Sequence, residues 1–206
     1  NKFWSGKHGP VKLYVSDFDK NGQIDHLLSY TKEGVEYPFL AKDEMERALP
    51  VLRKHYLHYA EYAGLPMKDA FYGFAETVTP LQAERLGSAV AYGNGKGGFE
   101  LKDLPADLQL APIFSFQKMK TAAQGNRYIT GGNFFDVIPY EGRYDAQPLA
   151  LFSSEKEKGM QYIHQPQLSK VKGQVRDVKW LRTAQQGNIL LVAQNNGPLL
   201  FYKPQN

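Results

Sequence analysis

The feature that most limits what this chain can fold into is an internal echo. Thr121-Ala122-Ala123-Gln124-Gly125-Asn126 returns 62 residues later as Thr183-Ala184-Gln185-Gln186-Gly187-Asn188. An apolar run precedes each copy, Ile113 to Phe116 in one case and Val175 to Leu181 in the other. The strand after each copy closes on asparagine, at Gly132-Asn133 and at Asn195-Asn196. A third stretch has the same outline: Val11-Lys12-Leu13-Tyr14-Val15, an acidic loop, then Ile24 to Tyr30. Three strand–loop–strand units, each followed by one or two further strands, predict stacked or radial β repeats.

The acidic loop reads Asp17-Phe18-Asp19-Lys20-Asn21-Gly22-Gln23-Ile24-Asp25. Carboxylates and an amide at Asp17, Asp19, Asn21 and Asp25 can converge on a hard cation, and Gln23 can add its backbone carbonyl. Gly22 stands where the chain must turn sharply. An EF-hand loop needs a Glu at its twelfth position, which here is Leu28, and its flanks are helices, whereas these flanks alternate as strands do. The expectation is one structural Ca2+ bracing an antiparallel hairpin. A solvated Asx-rich turn without metal is the plainer alternative. Three carboxylates in one loop repel one another, and a cation removes that cost, which favours the metal. Magnesium suits a flexible multi-oxygen loop less well than a larger ion.

The chain divides by texture. Residues 1–40 form the first β repeat, with the calcium-type loop and a short strand at Val35 to Phe39. Residues 41–86 read as a helical insertion. Leu49, Leu52, Tyr56, Tyr59 and Ala63 give one buried stripe over a helix from Asp43 to Tyr62, interrupted at Pro50 and stopped by Gly64 and Pro66. Met67 to Phe71 adds a helical turn, and Thr79-Pro80 with Glu84 predicts a further helix start. Residues 87–206 hold the remaining β repeat units of the same domain. They begin with a hairpin turned by Gly93-Asn94-Gly95-Lys96-Gly97-Gly98. The fold class expected is mainly β: propeller-like blades, about three repeat units, with a helical insertion.

Composition bounds the function. With no cysteine, disulfides, thiolate chemistry and sulfur-ligated metals are excluded. A net charge of +4 over 206 residues falls short of a nucleic-acid footprint. The modest basic patches at Lys118, Lys120 and Arg127, and at Lys170, Lys172, Arg176 and Lys179, are diluted by acids and by strand alternation. No apolar run is long enough to span a membrane. The start at Asn1, without Met or an apolar signal core, reads as a mature or excised piece of something longer.

The ordered set of motifs resembles the FG-GAP and VCBS repeat proteins, and more closely the C-terminal part of bacterial extracellular proteins that join such repeats to an ASPIC/UnbV region. The carriers are Asp17 to Asp25, Gly93 to Phe99, Gly131-Gly132-Asn133, Gly142-Arg143-Tyr144-Asp145-Ala146 and Gly173-Gln174-Val175-Arg176-Asp177-Val178. The resemblance implies a β-propeller, an extracellular or periplasmic bacterial setting and no secure catalytic activity. In the second unit the family often carries another acidic loop. Here Gln117-Lys118-Met119-Lys120-Thr121-Ala122 puts lysines there, and Leu181-Arg182-Thr183-Ala184 in the third unit is equally unsuited to metal.

The rival site is the aromatic 134–145 region. Tyr140 and Tyr144 can stack on sugar rings, beside Arg143 and Asp145, and Glu141 with Asp145 could form a glycosidase pair. The plainer account has Tyr140, Arg143, Tyr144 and Asp145 locking a long connection by packing and a salt bridge. His55 and His58 stand three apart, but without a third ligand they do not make a zinc site. Ser153 and Ser154 lack a nucleophile-elbow context. The balance favours a non-enzymatic module for adhesion, scaffolding or ligand display. Its expected partner is a protein or glycan at the cell exterior, with further blades or self-association covering open sheet edges. The alternative is a carbohydrate-binding or carbohydrate-active module.

Overall fold

Strands outnumber helices, with 42% strand and 17% helix, and they pair into four antiparallel sheets. This computed structural model describes residues 9–119, 126–139, 142–155 and 159–203. The chain separates into two compact units, Asn1–Leu86 and Gly87–Asn206. Among the described residues no sheet closes into a barrel and no ring of blades forms.

In the N-terminal unit, β1 (Val11–Ser16), β2 (Asp25–Lys32) and β3 (Val35–Pro38) form a meander, and β4 (Leu81–Ala83) returns to the free edge of β1. The register pairs Lys12 with Ser29 and Ser16 with Asp25. Strand alternation then sends Tyr14 and Leu27 to one face, where they are buried. That face packs on short helical segments through Met45, Leu49, Leu52, Tyr56 and Phe71.

The insertion is helical but not one helix from Asp43 to Tyr62. It breaks into α1 (Lys42–Ala48), a 3-10 turn at Pro50–Lys54, and α2 (Tyr59–Tyr62), followed by α3 (Met67–Ala70) and a second 3-10 turn at Phe74–Thr77. Pro50 cannot donate to the ladder, and the backbone at Leu49 has already left helical values (φ −129°, ψ 82°). The expected stripe holds for Leu49, Leu52 and Tyr56, whereas Tyr59 is 63% exposed and Ala63 is exposed, because extended backbone at His58 (φ −118°, ψ 151°) breaks the helical spacing before α2. The helix expected after Thr79-Pro80 is also absent. Leu81 and Ala83 pair instead with Leu13 and Val11, so the open edge of β1 overrides a helix start that has no apolar stripe behind it.

In the C-terminal unit, β5 (Ala89–Gly93) and β6 (Phe99–Asp103) form a separate hairpin. A four-stranded meander follows: β7 (Ile113–Lys118), β8 (Asn126–Gly132), β9 (Ala150–Glu155) and β10 (Gly159–Ile163). The last sheet is β11 (Val175–Thr183), β12 (Gly187–Gln194) and β13 (Leu200–Tyr202). β9 is buried on both faces. Leu151 joins Ile129, Val175, Val178 and Val192 in the main core, while Ala150 and Phe152 join Leu108 on the other side. The echo's second copy forms the β11–β12 turn; Thr121 to Gly125 of its first copy lie outside the described residues.

Candidate metal centre

The Asp17–Asp25 loop is held at two points. The Ser16–Asp25 pair closes its neck, and the Phe18 side chain is buried in the core of the N-terminal unit. Lys20 (φ 58°) and Gly22 (φ 86°) take left-handed backbone, which folds the loop back on itself.

Backbone amides then orient the acids. Asp17 accepts from Asn21 N–H through Oδ1 at 3.0 Å and from Gly22 N–H through Oδ2 at 2.9 Å. Asp19 Oδ1 accepts from Asn21 N–H at 3.2 Å, and Asp25 Oδ2 accepts from Phe18 N–H at 3.0 Å. One carboxylate oxygen from each of Asp17, Asp19 and Asp25 lies within 4.8 Å of the others. Ligands on opposite sides of a calcium ion stand about 5 Å apart, at twice the 2.3–2.6 Å bond length, so this spread fits inside one calcium shell. A carboxylate oxygen that accepts one N–H keeps a lone pair for a cation. The donor set is oxygen only, which selects a hard ion.

Of the five predicted ligands, the structure brings Asp17, Asp19 and Asp25 together. Asn21 Oδ1 accepts from Gln23 N–H at 2.8 Å, which leaves that oxygen a second lone pair and does not engage the Gln23 carbonyl, the group expected to ligate. Among the described residues, no other group of three or more His, Asp or Glu side chains gathers in this way. His55 instead lies against Tyr72 with ring centroids 4.2 Å apart.

The 134–145 region is arranged differently from expectation. Phe134 and Tyr144 exchange backbone hydrogen bonds of 2.8 and 2.9 Å as an isolated antiparallel bridge. Arg143 sits 5.2 Å over the Phe135 ring, and it makes no salt bridge with Asp145, which is exposed. Tyr140 and Glu141 lie outside the described residues, and so does half of the carboxylate pair. Arg176, taken above for part of a basic patch, stands 4.1 Å over Phe114 and donates to Asn133 O at 3.1 Å.

One polar cluster was not anticipated. Glu36 accepts from Lys12 Nζ at 2.7 Å, Tyr14 Oη at 2.8 Å and Ser29 Oγ at 2.5 Å. Burial pushes the Glu36 carboxyl up, but the bonds from Lys12, Ser29 and Tyr14 outweigh it and hold the group below its ordinary value. Its partners come from β1 and β2 while Glu36 is on β3, so only the register could have shown it. A charged Glu and Lys at sheet positions were the available hint.

No family model, curated protein or solved structure matches the chain. No helix among the described residues is long and apolar enough to cross a membrane.

Proposed function

We propose that this chain is a non-enzymatic, calcium-braced β-repeat module of the FG-GAP/VCBS kind, serving adhesion, scaffolding or ligand display outside a bacterial cell. The observation that carries the reading is the convergence of Asp17, Asp19 and Asp25 across the neck of one hairpin. A bound Ca2+ would offset two of the three carboxylate charges and pin β1 to β2. The role assigned to the ion is structural, because its three acids close the neck of one hairpin and are oriented by the loop's own backbone amides. Two antiparallel meanders whose first strands, β7 and β11, lie side by side support a blade-like arrangement. A closed propeller needs about four blades or more. On this reading, further blades or a partner protein or glycan cover the open edges.

Calcium titrated calorimetrically into metal-stripped protein tests the proposal, with thermal melts of the wild type and of Asp19→Ala alongside. One site, with a melting rise that the variant loses, is the expected result. No heat and no stabilisation at about millimolar calcium, the weak end of extracellular calcium modules, would overturn it.

A further inference from the structure

The β5–β6 hairpin and one face of the β7–β10 sheet, both in the C-terminal unit, enclose a cleft of about 650 Å³. Gln109 fixes its base. Its side chain accepts from Ser88 N–H at 2.8 Å and donates to the carbonyls of Ser88 (2.7 Å) and Leu104 (3.1 Å), which clamps the foot of the hairpin. Tyr92 stands on the hairpin wall and Phe116, Tyr128 and Phe152 on the sheet wall. Tyr128 stacks on Phe152 (5.3 Å, 20°), and Phe116 meets Tyr128 edge-on (6.4 Å, 64°). Phe116 remains 67% exposed. Asn126 and Ser154, directly paired across β8 and β9, add an amide and a hydroxyl at the polar end of the same face. Among the described residues no Asp, Glu, Lys or Arg lines the cleft.

We propose that this cleft binds a neutral oligosaccharide of about two or three rings, a size in keeping with ordinary ligand clefts. A sugar ring has an apolar C–H face, which an exposed aromatic ring can cover, and an edge of hydroxyls, which an amide and a hydroxyl can bond. An ionised ligand would lose hydration against walls that hold no charged lining side chain, and the cations beside them, Lys102 over Tyr92 (5.6 Å) and Arg176 over Phe114 (4.1 Å), each lie on an aromatic ring. A purely apolar protein segment would cover Asn126 and Ser154 without giving their polar atoms partners, whereas every sugar ring brings its own donors and acceptors. The inference is independent of the calcium loop, which lies in the other unit, and of Arg143, Tyr144 and Asp145. Failure of either proposal leaves the other standing.

The test is calorimetric titration of the intact chain with trimers of β-1,4-glucan, α-1,4-glucan, β-1,4-mannan and chitin, with a uronic acid trimer as the charged control. At least one neutral trimer binds and the uronic acid does not. Phe116→Ala weakens binding roughly tenfold, a loss of one stacking contact. Asn126→Ala also weakens it, through an exposed amide whose removal leaves folding intact. Asp19→Ala binds as wild type. Absence of binding by every neutral trimer at about 10 mM, weaker than any useful affinity, overturns the proposal. So does preference for the uronic acid. A concentration-dependent dimer that Phe116→Ala dissolves, without saccharide binding, would assign the wall to a second copy of the chain instead.

Discussion

Ser115 donates its hydroxyl to Asp177 across 3.0 Å, and the two residues stand 62 positions apart, the same interval as the echo in the sequence. Ser115 Oγ also accepts from Val178 N–H at 3.0 Å, and Trp180 Nε1 donates to Lys118 O at 2.8 Å, again 62 residues away. The first strands of two successive meanders are therefore joined by bonds that each use a side chain, one to another side chain and two to the main chain, rather than by a shared ladder. Burial pushes the Asp177 carboxyl up, but Ser115, the Val178 amide and Lys179 prevail and hold it below its ordinary value.

This junction predicts a measurable coupling. Ser115→Ala removes one donor and one acceptor at a buried position and should cost about 1–2 kcal/mol in denaturant unfolding. Asp177→Ala should cost less once Ser115 is already gone. A double-mutant cycle reads the difference, and a coupling of about 0.5 kcal/mol or more is expected for residues in direct contact. Strict additivity would mean that the bond does not tie the sheets together.

Among the described glycines, Gly132 is the one least able to accept a side chain. An added Cβ would fall on the carbonyl oxygen of Pro112, which also accepts from Asn133 N–H at 3.0 Å. Asn133 follows in left-handed backbone (φ 78°), with its amide bonded to the Lys172 and Gly173 carbonyls. Gly132→Ala should therefore destabilise the C-terminal unit by more than about 3 kcal/mol, in the range reserved for severe overpacking. Gly22→Ala is the contrast. It meets no atom within 4 Å and should cost only the left-handed backbone penalty, about 1 kcal/mol. Equal losses at the two sites would contradict this account.

The local parts of the fold were legible because their signals are local. The β1–β2 hairpin shows alternation on both sides of one loop, and Asp17, Asp19 and Asp25 lie within nine consecutive residues. The failures are non-local. Nothing within residues 79–84 reveals that β1 has a vacant edge to fill, and Pro50 marks a break without saying how short the next pieces are. The Glu36 cluster needed the register of three strands, and the aromatic cleft needed walls from residues 88–104 and 113–160 to meet.

The Glu36 cluster predicts the acid limb of stability. In the unfolded chain this carboxyl takes a proton near its ordinary value of 4.5, while in the fold it stays ionised to lower pH. As pH falls below 4.5 the unfolded state gains the proton first, so stability is lost toward the lowered folded value. Glu36→Gln should flatten that limb in pH-dependent melts and should cost about 1–3 kcal/mol at neutral pH, since Lys12 loses its partner.

Three tyrosines set the alkaline limb. Burial raises the hydroxyls of Tyr14, Tyr56 and Tyr62, with Glu36 and Tyr72 adding to the effect at Tyr14 and Tyr56. The unfolded state then loses its protons first as pH rises past 10.0, and stability falls from there upward. Ultraviolet titration should show these three phenols ionising together with unfolding rather than before it. Smooth ionisation near pH 10.0 in folded protein would remove the effect.

Charge and metal can be separated in the Asp17–Asp25 loop by one conservative change. Asp19→Asn keeps an Oδ1 acceptor for the Asn21 amide but removes one of three converging charges. Without metal, the variant should melt above the wild type, because repulsion among partly exposed carboxylates is relieved by up to about 1 kcal/mol. With calcium the order should invert. An ion at a hundredfold excess over its Kd stabilises the wild type by about 2.7 kcal/mol, and a site short of one carboxylate holds it less tightly. The crossing of the two melting curves is the signature of a metal loop. Parallel curves, with and without calcium, would identify the segment as a solvated Asx turn, because its amide hydrogen bonds to Asp17 and Asp25 need no cation to form.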